Sequence, residues 1–127
     1  MDVRKAVVAV ASALLSLASL SAVPGPAGAT PIVDGNYLKK LADANERVVR
    51  HQGKESDYLD ATHYLGYVQG VSDAFDRVIC APSQVRTGQL VVIVTKYLNA
   101  HPEESTHGGA TIVLAALKGT FPCPTER

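Results

Sequence analysis

Residues 80–102 read C-A-P-S-Q-V-R-T-G-Q-L-V-V-I-V-T-K-Y-L-N-A-H-P, and the fold turns on whether their middle is helix or strand. Pro82 cannot continue a helix and disfavours helical geometry at the residue before it, so Cys80-Ala81-Pro82 ends whatever precedes it. Thr87 is a good N-cap and His101-Pro102 a stop, which frames the residues between them as one element. Leu90-Val91-Val92-Ile93-Val94 is a β-branched run of the kind a buried strand uses. Helical spacing nevertheless puts Leu90, Val94, Tyr97 and Leu98 on one face, and the framed length suits an ordinary helix. We therefore read residues 88–99 as a helix.

Upstream, Ser56 or Asp57 caps what should be the longest helix, residues 58–79. Ala61, Tyr64, Leu65, Val68, Val71, Ser72, Phe75, Val78 and Ile79 fall on one broad stripe at 100° per residue, the face expected in the core. Thr62, Gly66, Gly70 and Ala74 form a ladder of small residues on the opposite side. Each interior glycine costs a helix about 1 kcal/mol relative to alanine. The ladder is therefore expected to be a packing surface, against another helix of the domain or against a second copy, rather than a merely solvated face. Before this helix, Asp34 or Asn36 caps a first one that carries Leu38, Leu41, Ala42 and residues 44–49 as its apolar side and ends near Arg50.

Downstream, residues 100–109 make a polar loop closed by a Gly-Gly pair. A fourth helix follows over residues 110–118, with Gly119 suited to its C-terminal cap. Phe121-Pro122-Cys123-Pro124 then turns the tail back towards Cys80. The expected fold is all-α, a small bundle of four helices, or four to five, stapled by one disulfide.

The first residues stand apart from this domain. Arg4 and Lys5 make a positive start, residues 6–23 an apolar run, and Ala27-Gly28-Ala29 an A-x-A cleavage site. Residues 1–29 read as a signal peptide cleaved after Ala29, with a membrane anchor or a buried core helix as the alternatives; residues 30–127 form the domain. An oxidising compartment favours disulfides, and the two cysteines allow one internal pairing, Cys80 with Cys123. The loop they close is about 43 residues, for which chain entropy gives at most about 4 kcal/mol.

Twelve basic and twelve acidic side chains, with no basic stripe, do not suit a nucleic-acid binder. His101 and His107 flank two glutamates, but their spacing matches no helical ligand pair, so they read as solvated loop residues and no metal is expected. Asp57 with Asp60, and Asp73 with Asp76, read as exposed helix charges. There is no G-x-S-x-G stretch, and a disulfide removes both cysteines as nucleophiles. The residues point to a binding protein without a cofactor and not to an enzyme.

Several blocks then carry a resemblance. They are residues 64–74 (Y-L-G-Y-V-Q-G-V-S-D-A), Cys80-Ala81-Pro82 followed by V-R-T-G-Q-L at 85–90, Y-L-N-A-H-P-E at 97–103, and Ala116-Leu117 with Phe121-Pro122-Cys123. In this order they resemble the Rap/Tai immunity proteins. That resemblance implies an exported helical domain of the bacterial periplasm, often a homodimer, which binds a peptidoglycan amidase effector of type VI secretion and blocks its cleft. By position and polarity the segment suited to that contact is the loop, His101, Pro102, Glu103, Glu104, Ser105, Thr106 and His107. Many members carry a further cysteine in the first helix, and this chain does not. The alternatives are a periplasmic acid chaperone of the Hde type, which opens at low pH, and an exported helical domain with an unrelated protein partner.

Overall fold

The computed structural model describes residues 28 and 30–125, so the expected signal peptide, Gly28 apart, lies outside the described residues. The described residues form four α-helices, α1 (Gly35–Val49), α2 (Glu55–Ala74), α3 (Thr87–Ala100) and α4 (Gly109–Thr120), with a short 3-10 turn, Pro102–Glu104, between the last two. Among the described residues β-pairing is limited to one isolated antiparallel bridge, Asp34 with Gly108. The all-α expectation holds, and the β-branched run is helical. One disulfide joins Cys80 to Cys123.

α1 starts where Asp34 Oδ1 accepts the Tyr37 N–H at 2.8 Å. Leu38, Leu41, Ala42 and Ala44 are buried, whereas Val49 at its end is exposed. α3 contributes Leu90, Val91, Val94 and Leu98, and α4 contributes Ile112, Val113, Ala116 and Leu117 to the same core. Tyr64 of α2 stands at the centre, fully buried. Its hydroxyl lies 2.9 Å from the hydroxyl of Thr95 and donates to the Val91 carbonyl at 3.3 Å. A buried hydroxyl without a partner is costly, so this pair lets α3 carry a threonine inside the core. Burial pushes the Tyr64 hydroxyl far above its ordinary pKa, so it stays a neutral donor.

Four helix boundaries differ from expectation, those of α2 and α3 for tertiary reasons. α2 begins at Glu55, ahead of the expected cap, because Asp57 acts from inside the first turn. Its carboxylate accepts the Lys54 N–H at 2.9 Å and receives the Arg47 guanidinium at 2.7 and 3.2 Å. Asp57 is thus buried rather than an exposed charge, and it bonds α1 to α2. Asp60 meets Lys40 at 3.3 Å, while Asp73 and Asp76 are exposed as expected.

α2 ends at Ala74, short of the expected Ile79. The Phe75 carbonyl accepts both the Val78 and Ile79 N–H groups in a turn. Phe75 and Val78 consequently stand 38% and 39% exposed, off the expected buried stripe, while Ile79 is buried. The competing interaction is at the tail, where the Cys80 N–H donates to the Phe121 carbonyl at 3.0 Å beside the disulfide. α3 begins with Thr87 inside the helix. Gln89 Oε1 accepts the Arg86 N–H at 2.9 Å, and the Thr87 hydroxyl instead donates to Gln69 at 3.1 Å, tying α3 to α2. α4 runs through Gly119 to Thr120 and is capped by Phe121, whose N–H bonds the Leu117 carbonyl at 2.8 Å.

The small-residue ladder Thr62, Gly66, Gly70 and Ala74 is exposed. A Cβ placed at Gly66 or Gly70 would meet nothing within 4 Å, so no other described helix packs there. The expectation of a contact inside the bundle is therefore corrected: α2 turns its other side to α1, α3 and α4.

Two outcomes follow from these contacts. Arg47 and the Lys54 N–H hold the Asp57 carboxyl below its ordinary value, at about 2, so the native state binds fewer protons there than the unfolded chain. That stabilisation is complete above about pH 4 and is lost as pH falls towards about 2. In urea unfolding, the gap between wild type and Asp57→Asn should stay constant from pH 7 to about 4 and narrow below it. A gap that closes near neutral pH would contradict the pairing. Gly70→Leu should fold normally and melt at an unchanged or higher temperature, since leucine is favoured over glycine in a helix by up to about 1 kcal/mol and the site is open. A clear fall in melting temperature would show that a bulky side chain is not accommodated.

Candidate functional site

The loop between α3 and α4 is built from both its ends. At the α3 end the His101 N–H donates to the Tyr97 carbonyl at 3.0 Å, and Pro102 then opens the 3-10 turn. The turn is closed by Glu104 N–H to His101 at 3.1 Å, Ser105 N–H to Pro102 at 3.2 Å and His107 N–H to Glu104 at 2.8 Å. Proline suits this first position because the N–H it lacks would have no partner within the helix.

Side chains reinforce the turn. The Tyr97 hydroxyl donates to both carboxylate oxygens of Glu104, at 3.0 and 3.2 Å, and its ring lies 4.2 Å from that of His101. His101 Nδ1 is 2.9 Å from Glu103 Oε1. This bond is the main reason the Glu103 carboxyl sits below the usual carboxylate range. The Tyr97 hydroxyl is raised, first by burial and then by its bond to Glu104. His107 Nδ1 stands 4.0 Å from Glu104, a looser approach.

The other edge of the loop is bonded to the start of α1. Gly35 N–H donates to His107 at 2.9 Å, Asn36 N–H to Ser105 at 2.9 Å, and Gly109 N–H to Val33 at 2.7 Å. First-turn amides of a helix have no partner inside it, so carbonyls of the loop satisfy two of those of α1. This seam requires close approach. A Cβ at Gly35 would come within 2.8 Å of the Ser105 backbone, and one at Gly109 within 2.8 Å of Val33 Cγ1 and 3.0 Å of the Tyr67 hydroxyl oxygen.

Of the residues expected to meet a partner, Pro102, Glu103, Thr106 and His107 are exposed, and His101, Glu104 and Ser105 are half-buried. The structure brings His101, Glu103 and Glu104 together, with donor atoms within 4.8 Å of one another. The sequence reading kept these side chains apart as solvated, because a linear spacing does not show a 3-10 turn. Each carboxylate is already engaged, Glu103 by His101 and Glu104 by Tyr97. A hollow lined by Gly35, Asn36, Lys39, Leu98, His101, Pro102 and Ser105 adjoins the loop. Sequence reasoning missed Tyr97, which was read as core alone, and Gly35, which was read as lead-in; the Gly-Gly pair at 108–109 was the available signal for a close approach.

Over residues 34–123 the chain matches the Rap1a immunity proteins. It belongs to that family. The matched segment runs from the α1 cap, Asp34, to the second half-cystine, Cys123, and so spans the four helices, the loop between α3 and α4 and both half-cystines. No curated protein matches the chain significantly. Among the described residues no helix is long and apolar enough to cross a membrane.

The glycine seam of this family member is directly testable. Gly35→Ala should destabilise the protein by about 1–3 kcal/mol, the usual cost of overpacking, because the contacting atoms at Ser105 are backbone and cannot rotate away. Chemical denaturation measures it, and an unchanged midpoint would mean that the loop is not held against α1 at this distance.

Proposed function

We propose that this protein is an exported immunity protein that binds a peptidoglycan amidase effector and covers its active-site cleft, with residues 101–107 as the contacting loop. Family membership supports a protein toxin as the partner. The observation that carries the choice of loop is its construction: an exposed tip, Pro102 and Glu103, on a turn braced by Tyr97 on one side and by the start of α1 on the other. A loop ordered before binding loses less freedom when it binds, so more of the contact energy appears as affinity. The action is stoichiometric binding, without a cofactor. The route is export through a cleaved signal peptide, residues 1–29, to the periplasm, where the pairing of Cys80 with Cys123 is chemically favoured.

An acid chaperone must open as pH falls. A domain that stays compact and binds no unfolded client protein at acid pH would exclude that reading.

The test is to recover the tagged protein from its own host and identify co-purifying proteins by mass spectrometry. A peptidoglycan amidase should co-elute in equimolar amount, and its hydrolysis of peptidoglycan should stop on addition of the purified domain. Glu103→Arg combined with Thr106→Arg, both on exposed positions, should weaken that association at least about tenfold, or about 1.4 kcal/mol, at an unchanged melting temperature. Recovery of an unrelated protein, or an amidase bound equally well by the double variant, would overturn the proposal or its choice of loop respectively.

A further inference from the structure

Building on that reading of the loop, we infer that Tyr97 is its positioning residue: it sets the exposed Pro102-Glu103 tip through Glu104 and His101 and adds little to the stability of the bundle. Tyr97 lies in the last turns of α3, and its ring packs partly buried against the core, so the direction of the side chain is fixed from below. Residues four apart on a helix face the same side, which brings the His101 ring over Tyr97 at 4.2 Å. The hydroxyl reaches beyond His101 to both oxygens of Glu104. One side chain therefore holds both ends of the segment whose middle is the tip.

Nothing else on the helices duplicates this hold. Among the described residues, Tyr97 is the one helical side chain that hydrogen-bonds into the Pro102–Glu104 turn. The bonds to α1 begin only at Ser105, and the bond from His101 to Glu103 joins two residues of the loop itself. Without the hydroxyl, the turn loses its registry on α3 and its backbone bonds open more often. Glu104, held at 25% side-chain exposure, becomes free to swing to water. The tip then samples orientations that a partner's cleft does not accept, and binding must select one of them.

The substitution that isolates this role is Tyr97→Phe, which keeps the ring, its packing and its stack with His101 and removes only the oxygen. On the purified protein, amide hydrogen exchange followed by NMR should show the Ser105 and His107 N–H groups exchanging faster, about tenfold, while the Val94 amide and the melting temperature stay unchanged. Glu104→Gln, which retains an acceptor, should keep most of the protection; Glu104→Ala should lose it as Tyr97→Phe does. Against the amidase recovered from the host, Tyr97→Phe should weaken association about tenfold. Equal exchange in wild type and Tyr97→Phe would overturn the inference, and so would a loosened loop with undiminished affinity. If the wild-type protein recovers no amidase, the functional reading falls, while the exchange comparison still decides whether Tyr97 sets the loop.

Discussion

The close backbone contact between residues 33–36 and residues 105–109 is the constraint on which the rest of this structure depends. Helices α1 and α4 are distant in sequence, and the segment joining α3 to α4 must run back beside the start of α1. It does so at a separation that leaves no room for a Cβ at Gly35 or Gly109. That closeness lets the loop carbonyls take up the unpartnered amides of α1. The same three bonds close the bundle and fix the loop. Loosening one would therefore loosen the other, which ties the geometry of the exposed tip to the integrity of the fold.

Other long-range bonds act at different heights of the bundle and explain why it is a unique structure rather than a collapsed set of amphipathic helices. Arg47 with Asp57 sets α1 against α2, Thr87 with Gln69 and Tyr64 with Thr95 set α2 against α3, and the disulfide ties the segment after α2 to the tail after α4. Apolar burial supplies the driving force but is indifferent to register. Polar groups that must be satisfied are selective, since a slip of one residue leaves a buried donor or carboxylate without its partner. A domain of this size buries a smaller fraction of its surface than a larger one. A cross-link that removes freedom from the unfolded chain is worth correspondingly more to it.

The sequence carried the existence of the helices and the pairing of the cysteines, and it did so for physical reasons. Leu38, Leu41, Tyr64, Val68, Leu90 and Val94 repeat at helical spacing because each helix buries one side, and Pro82 and Pro102 mark points through which a preceding α-helix does not readily continue. Caps were harder. Thr87 and Asp57 are the right residue types for capping, but Gln69 and Arg47 recruit them from neighbouring helices. Periodicity also placed Phe75 and Val78 in the core, and the turn that releases Ile79 and Cys80 towards the tail moves them out. The site was legible as a place and not as a network. The polarity of residues 101–107 was visible, whereas the bond from Tyr97 to Glu104 depends on a 3-10 turn that has no signature in linear spacing.

The division between scaffold and tip also bears on selectivity. The blocks that carry the family resemblance include the Cys80-Ala81-Pro82 stop, the Phe121-Pro122-Cys123 tail and residues 97–103 with the Tyr97 brace, and the family match spans the entire bundle. These residues make the frame, and a frame by itself does not choose a partner. On the proposed reading, discrimination between effectors falls to the exposed loop positions outside those blocks, Thr106 and His107. A rigid mount makes such a small set sufficient. When the tip cannot adapt, an effector whose cleft places one like charge or one side chain in its path is rejected at full cost, with no alternative loop conformation to relieve the clash. A flexible loop would bind more effectors and distinguish fewer. On the proposed reading, the bracing of this loop by the start of α1 and by Tyr97 suits an inhibitor dedicated to one toxin.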